Sequence, residues 1–309
     1  MTEARSPVEL RGLVKRYGDL VAVDDVDLTV EAGDVYGYLG PNGAGKTTSL
    51  RMMHGLIRPT AGSVRLFGKD PMLSVRALDG VAGFVEAPRF YPYLSGRRNL
   101  ELLASFDGHG AHERIDAALD TVELSDRAKD KVGGYSHGMR QRLGIAGALL
   151  REPRLLLLDE PATGLDPAGM RDMRLLIRRL ADGGMTVLLS SHLMPEVEEL
   201  CNRVAIVRSG AIVYEGAIAD LKRAAGATYR LRTTDDERAL AVCRAQRGIE
   251  EPRLAEGEIA FGADEAAVAE LSIALIEAGA LIQALVPQTA SLEDLFFSLT
   301  EKPPEPVTA

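Results

Sequence analysis

A glycine-rich segment of eight residues limits what this chain can fold into more than any other feature. The segment, Gly40-Pro41-Asn42-Gly43-Ala44-Gly45-Lys46-Thr47, fits the pattern G-x-x-x-x-G-K-[ST] without a mismatch. Its glycines allow the backbone to curl so that successive N–H groups point inward at phosphate oxygens. The mostly apolar stretch Asp34–Leu39 precedes it and a helix is predicted over Lys46–His54. We call residues 40–47 the phosphate loop.

The side chains that end the phosphate loop predict its ligand. Lys46 is expected to reach the β- and γ-phosphates of ATP, and the Thr47 hydroxyl to take a position on Mg²⁺. The helix that begins near Lys46 adds the positive end of its dipole. A chance match in a glycine-rich turn is the alternative, but the strand before the loop and the helix after it make this improbable. The predicted ATP-binding residues here are Gly40, Pro41, Asn42, Gly43, Ala44, Gly45, Lys46, Thr47 and Thr48.

A second segment, which ends in two acidic residues, completes the predicted site. Leu155–Leu158 is a short, wholly aliphatic strand that runs directly into Asp159 and Glu160. The carboxyl ends of parallel strands face the ligand crevice, so both acids are expected beside the phosphates. Asp159 is predicted to hold Mg²⁺, directly or through water, and Glu160 to act as general base on the attacking water. Alone, this pattern could be a solvated strand end; together with the phosphate loop it predicts hydrolysis of ATP.

The order of predicted elements indicates an α/β fold with two parts. Continuous apolar strands alternate with helices up to about Leu221, which predicts a parallel sheet covered on both faces. A helical pattern from Asn99 to about Asp130 places Leu100, Leu103 and Ala104 on one face. In residues 222–309 the predicted elements follow the order βαββαβ, which indicates a small ferredoxin-like domain. A last short helix is predicted to begin at residues 291–294.

Composition excludes several classes of protein. The 309 residues carry a formal charge of −9, which argues against a nucleic-acid binder. No apolar run approaches the roughly 20 residues of a membrane-spanning helix, and Met1–Arg11 is too polar for a signal peptide. Cys201 and Cys243 lack metal or redox spacing. We therefore expect a cytoplasmic protein that meets a membrane only through a partner.

Five segments in order resemble the ATP-binding cassette ATPases: the phosphate loop, Tyr135–Arg142, Leu155–Glu160, Thr163–Asp166 and Ser191-His192. The resemblance covers about Val8 to Leu221 and is specific, because all five occur at suitable spacings. It implies a P-loop NTPase fold of the cassette type, with an antiparallel β subdomain and a helical subdomain at about residues 88–150. The ATP-binding domain would then occupy residues 1–221 and an accessory α+β domain residues 222–309.

The resemblance also implies roles for single residues. Tyr17 lies where the family stacks an aromatic ring on adenine. Ser136 and Gly138 lie in the signature segment, which contacts the γ-phosphate of ATP held by a second copy, and a Ser at a helix start suits an anion. Asp166 would lie at the seam between the two copies. His192 would contact the γ-phosphate and help to hold the attacking water.

Two positions depart from the family pattern. His137 replaces a glycine of the usual signature, so its side chain is expected to point away from the nucleotide. Glu86 stands where the family usually places a Gln that touches Mg²⁺ and the attacking water. A carboxylate can still ligate this hard cation, and we expect Glu86 to keep the metal-side role. Acidic residues here resemble an exporter branch that includes bacitracin- and lantibiotic-resistance transporters.

Three functions compete on these observations. The leading one is the Mg-ATP hydrolysing subunit of an exporter, working as a homodimer on a separate transmembrane permease. A cassette ATPase acting on nucleic acid or the ribosome is less favoured, because only one phosphate loop and no sustained heptad pattern are present. A nucleotide-gated binding protein without turnover is also less favoured, because the predicted general base, Glu160, is present.

Overall fold

The computed structural model describes residues 6–107, 110–224, 227–255, 257–289, 292–293 and 295–296. The chain divides into two compact units, Met1–Ala217 and Ile218–Ala309. The strands of the first unit are β1 (Val8–Tyr17), β2 (Leu20–Val30), β3 (Val35–Leu39), β4 (Ala61–Leu66), β5 (Val81–Phe84), β6 (Leu155–Asp159), β7 (Thr186–Ser191), β8 (Arg203–Arg208) and β9 (Ala211–Ala217). Its helices are α1 (Lys46–Met53), α2 (Gly96–Asp107), α3 (Ile115–Thr121), α4 (His137–Leu149), α5 (Pro167–Asp182) and α6 (Met194–Leu200).

A six-stranded sheet in the order β5-β6-β7-β3-β8-β9 forms the centre of the first unit. All neighbours in it are parallel except β8 and β9, which form an antiparallel hairpin at the edge of the sheet. Strands β6 and β7 are buried along their whole length, which explains the run of leucines in β6 and the apolar centre of β7. Register places Leu39 beside Ser191 and Asp159 beside Ser190, so the carboxyl ends of three strands meet at one sheet edge.

A three-stranded antiparallel sheet, β2-β1-β4, packs on the same core. Apolar side chains from β1 and β2, such as Leu10 and Leu28, share one buried cluster with Leu50 of α1 and Leu157 of β6. Burying side chains of this size stabilises the fold by roughly 1.5–3 kcal/mol each. The phosphate loop connects β3 to α1, and both elements pack in this core, so the packing fixes the position of the loop.

The helical pattern expected from Asn99 to about Asp130 is in fact interrupted. Helix α2 begins earlier, at Gly96, and α3 ends at Thr121. Asn99 lies inside α2, where its side-chain amide donates to the Tyr91 and Ser95 carbonyls and ties down the preceding loop. Leu100 and Ala104 are buried as predicted, but Leu103 is 40% exposed. Throughout the described segments, the helices all fall short of the length and apolar character that spanning a bilayer requires.

The second unit has its own sheet and core. Its elements are α7 (Ile218–Ala224), β10 (Ala227–Thr233), α8 (Asp236–Ala245), β11 (Glu250–Ala255), β12 (Glu258–Gly262), α9 (Glu265–Glu277) and β13 (Ile282–Thr289). The sheet order is β11-β12-β10-β13, with every neighbouring pair antiparallel. Leu231, Cys243 and Leu271 lie in its buried cluster. Helix α7 was not predicted from the sequence, and Ser291 and Asp294 of the predicted last helix lie outside the described residues.

Candidate nucleotide site

The phosphate loop joins the end of β3 to the start of α1, as predicted. Gly43 and Gly45 have φ angles of 82° and 100°, in the left-handed region that favours glycine. A Cβ atom at Gly45 would lie 2.3 Å from the Ala22 carbonyl oxygen, and one at Gly40 would lie 2.5 Å from the Val207 carbonyl oxygen. The glycines are therefore needed both for the curl of the loop and for its close approach to neighbouring backbone.

Lys46 is folded back over the loop and is only 5% exposed. Its ammonium group donates to the carbonyl oxygens of Gly40, at 2.8 Å, and Pro41, at 3.1 Å. It also lies 3.3 Å from Glu160 Oε1. A buried cation set among backbone N–H groups at a helix start fits the phosphates of a nucleotide.

A cavity of about 530 Å³ lies against the loop. This volume is typical of a pocket for a small ligand. The predicted residues Tyr17, Asn42, Gly43, Gly45, Lys46, Thr47, Thr48 and Glu160 line it, together with Leu20, Val21, Ala22 and Ser209. Tyr17 is 46% exposed, and Lys15 Nζ lies 5.1 Å from its ring centroid. A half-open aromatic ring at the mouth of the cavity is available to stack on a base.

Asp159 and Glu160 end β6 at the same sheet edge. The Asp159 carboxylate is buried and accepts from Ser190 Oγ at 2.5 Å and from the Glu86 N–H at 3.3 Å. Glu160 has a φ of 48°, a left-handed conformation uncommon outside glycine. Its N–H donates to Ser190 Oγ at 3.0 Å. This turn separates two consecutive carboxylates, so that the Glu160 side chain faces the phosphate loop.

Three groups surround the Glu160 carboxylate. Thr163 Oγ1 donates to Oε2 at 2.8 Å, and His192 Nδ1 lies 3.0 Å from the same oxygen. Lys46 stands by the other oxygen. Burial alone raises the pKa of Glu160, but the Thr163 hydrogen bond and the charges of Lys46 and His192 outweigh it and hold this pKa below its ordinary value. Lys46, Glu160 and His192 are thus brought together.

The buried carboxyl group of Glu196 contacts Ser191, the residue that precedes His192. Ser191 Oγ donates to Glu196 Oε2 at 2.8 Å and accepts from the Leu193 N–H at 3.0 Å. Burial raises the pKa of Glu196, against the lowering effect of the Ser191 hydrogen bond and the Arg174 charge. The turn that carries His192 is therefore fixed at both ends. Glu196 was not predicted as a site residue from the sequence; its position five residues after Ser191 was the available signal.

Glu86 lies two residues after β5 with a φ of 64°. Its N–H reaches Asp159, whereas its carboxylate forms an ion pair with Arg51 of α1. Arg51 was not predicted as a site residue, because no sequence pattern connects the last turn of α1 with the segment after β5. Glu86 is thus placed next to the predicted metal residue Asp159 through its backbone.

Ser136 and Gly138 lie apart from the residues that line the nucleotide cavity. Ser136 caps α4, its hydroxyl accepting from the Met139 N–H at 3.2 Å. Both residues line a separate cavity of about 600 Å³ together with Asp166. His137 Nε2 lies 3.1 Å from the Thr163 carbonyl oxygen, so the ring turns toward the segment that follows Glu160.

Several known proteins are similar to this chain in sequence. The model of the ABC transporter family matches residues 23–163. An uncharacterised ABC transporter ATP-binding protein of Bacillus subtilis is 38% identical, with 95% of each chain covered. A bacitracin transport ATP-binding protein of Bacillus licheniformis is 36% identical, covering 94% of this chain and 96% of that protein.

A solved structure has a similar fold over about two thirds of this chain. A dimeric ATP-binding cassette in a post-hydrolysis state, bound to ADP and Pi, is 26% identical with a TM-score of 0.62, covering 68% of this chain and 98% of that one. Fold, site and similarity coincide, and this chain belongs to the ATP-binding proteins of the ABC transporter family.

Proposed function

We propose that this chain binds Mg-ATP on the phosphate loop and hydrolyses it to drive an exporter whose transmembrane permease is a separate chain. The convergence of Lys46, Glu160 and His192 at the end of three parallel strands carries the proposal. It supplies a cation for phosphate and a general base beside it, with a histidine on the same base. The bacitracin transport relative favours export. Recognition of the cargo is assigned to the permease.

Each residue at this edge then has a task. Backbone N–H groups within Asn42–Thr48 and the Lys46 ammonium bind the phosphates, Gly40 and Pro41 shape the loop, and Tyr17 stacks on the adenine. Thr47 and Asp159 would hold Mg²⁺, which neutralises phosphate charge when bound. Glu160 accepts the proton of the attacking water and His192 orients the γ-phosphate. Glu86 is proposed on the metal side, and Arg51 has to release its carboxylate first.

A second copy completes each site. Ser136, Gly138 and Asp166 share one cavity lining in which none of the phosphate-loop residues takes part. A helix start capped by a Ser hydroxyl is suited to contact a phosphate brought by another protomer. Head-to-tail pairing of two copies would place this helix start on the γ-phosphate held by the partner. The dimeric cassette found among similar structures supports this arrangement.

An apolar groove offers a place for the permease. It has a volume of about 320 Å³ and lies between the segment after β5, α2 and α4, lined among others by Phe84, Pro88, Phe90 and Phe106. Phe106 is 87% exposed, which is unusual for so large an apolar side chain. Glu86 lies next to this segment, so motion of a docked partner could reach the metal side. Docking here would hold the chain at the cytoplasmic face of the membrane.

The C-terminal unit is proposed as an accessory domain. We assign Met1–Ala217 to the ATP-binding domain, with a helical subdomain at about 88–150, and Ile218–Ala309 to a ferredoxin-like domain, which moves the boundary expected at 221/222 to the start of α7. The element order βαββαβ and the sheet order β11-β12-β10-β13 support this assignment.

Two experiments test the proposed function. The purified full chain should hydrolyse ATP with Mg²⁺, and Lys46→Ala should remove at least about 99% of that rate, the scale of losing a principal electrostatic group. An unchanged rate in Lys46→Ala would overturn the proposal. Affinity purification from solubilised membranes should recover a multi-span protein with the chain; recovery of ribosomes or nucleic acid instead would favour the competing function.

A further inference from the structure

His137 connects two parts of the proposed machinery that sequence separates by more than twenty residues. It is the first residue of α4 and directly follows the cap residue Ser136. Its Nε2 atom lies 3.1 Å from the Thr163 carbonyl oxygen. A carbonyl oxygen only accepts, so Nε2 carries the hydrogen and donates it. The ring also lies against Gly164, where a Cβ atom would meet Nε2 at 3.5 Å.

Thr163 in turn holds the proposed general base. Its N–H donates to the Glu160 carbonyl at 3.1 Å, which closes a tight turn, and its hydroxyl donates to Glu160 Oε2 at 2.8 Å. A hydroxyl that bonds to the charged form of a carboxylate stabilises that form and fixes its orientation. Displacement of the Thr163 peptide group would therefore move the atom that aims Glu160.

We propose that His137 is a positioning residue for Glu160, acting through Thr163. A glycine at position 137, as in the usual signature segment, has no side chain to anchor the Thr163 carbonyl. The inference rests on the proposed function, which places Ser136 on the ATP of the second copy. In that arrangement two consecutive residues at the start of α4 have different tasks. Ser136 contacts the nucleotide bound to the second copy, and His137 holds the general base of its own chain in position.

Three variants of the full chain test the hydrogen bond itself. His137→Leu fills similar space without a donor and should lower kcat about fivefold, the effect of losing a hydrogen bond worth roughly 1 kcal/mol. KM for ATP and binding of a fluorescent ATP analogue should stay within twofold. His137→Gln restores an amide donor and should recover most of kcat. The matched control is His112→Leu, at an exposed histidine, which should leave kcat unchanged.

A double-mutant cycle with Thr163→Val decides whether His137 acts through Thr163. Thr163→Val removes the hydroxyl that reaches Glu160, so adding His137→Leu to it should lower kcat by less than twofold. An unchanged kcat in His137→Leu, a full fivefold effect in the Thr163→Val background, or no recovery in His137→Gln despite normal ATP binding would each overturn the inference. Rates of wild type and Lys46→Ala, measured alongside, report separately on the proposed function.

Discussion

Lys46 Nζ lies 3.3 Å from Glu160 Oε1, so the lysine of the phosphate loop forms an ion pair with the proposed general base. A triphosphate presents Lys46 with more negative charge than one carboxylate does. We expect ATP to draw Lys46 toward its phosphates, and the loss of this neighbouring charge to raise the pKa of Glu160. The base would then become stronger in the same step that delivers the substrate.

The pH dependence of kcat/KM should reflect the lowered pKa of Glu160 in the free enzyme. With the carboxylate already ionised, kcat/KM should show no acid limb from this group between about pH 5 and pH 8. Thr163→Val removes the largest of the lowering influences, so the pKa should rise and an acid limb should move to higher pH. Thr121→Val, which removes a helix-internal hydroxyl, is the control. Identical profiles for wild type and Thr163→Val would contradict this account of the site.

Glu86→Gln should keep or raise ATPase activity. The change removes one negative charge beside the proposed triphosphate site and retains an oxygen ligand. Its ion pair with Arg51 is substantially exposed, so the free energy of unfolding should change by less than about 1 kcal/mol. Glu9→Gln, in the exposed pair with Arg11, is a control remote from the site in sequence. A fall in kcat of more than tenfold would show that the carboxylate itself is required.

Glu196→Gln should change how stability depends on pH. The pKa of Glu196 is raised above the ordinary 4.5, so the native protein holds this proton longer than the unfolded chain does. Wild type therefore loses stability as pH rises above about 4.5 and until it passes the native pKa, by up to about 1.4 kcal/mol per pH unit. Gln does not titrate, so the variant should gain on wild type over that window in urea unfolding. A constant difference from pH 4 to pH 7 would contradict the burial of this charge.

Phe106→Ser should separate partner binding from hydrolysis. Phe106 lies in the apolar groove proposed for the permease and is almost fully exposed, so its loss should cost little stability. The isolated variant should keep its ATPase rate within about twofold, whereas recovery of the permease in a membrane pull-down should fall severalfold. Leu175→Ser, at an exposed position on α5 outside the groove, should change neither. Equal recovery of the permease with both variants would place the docking surface elsewhere.

The sequence was sufficient to predict features that depend on a short segment or on the parallel arrangement of the strands. The phosphate loop could be predicted because its chemistry resides in backbone and glycine spacing. The position of Asp159 and Glu160 beside the phosphate loop was expected from the rule that the carboxyl ends of parallel strands meet at one edge of the sheet.

Side-chain partners across loops were not accessible to the same reasoning. The Arg51–Glu86 pair and the His137–Thr163 contact depend on left-handed turns at Glu86 and Glu160. The helical stretch between Asn99 and Asp130 is interrupted after Asp107, where Gly110 has a left-handed φ of 80°, and apolar periodicity does not show such a backbone break.

The shared site is tested most directly by the mass of Glu160→Gln in saturating Mg-ATP, measured by size-exclusion chromatography with light scattering. Without its general base the variant should bind ATP but hydrolyse it at least about a hundredfold more slowly. Two copies should then remain clamped on two nucleotides, and the protein should elute at twice the monomer mass, returning to monomer when ATP is removed. A Glu160→Gln protein that binds ATP and yet stays monomeric would contradict the claim that Ser136 of a second copy closes the site.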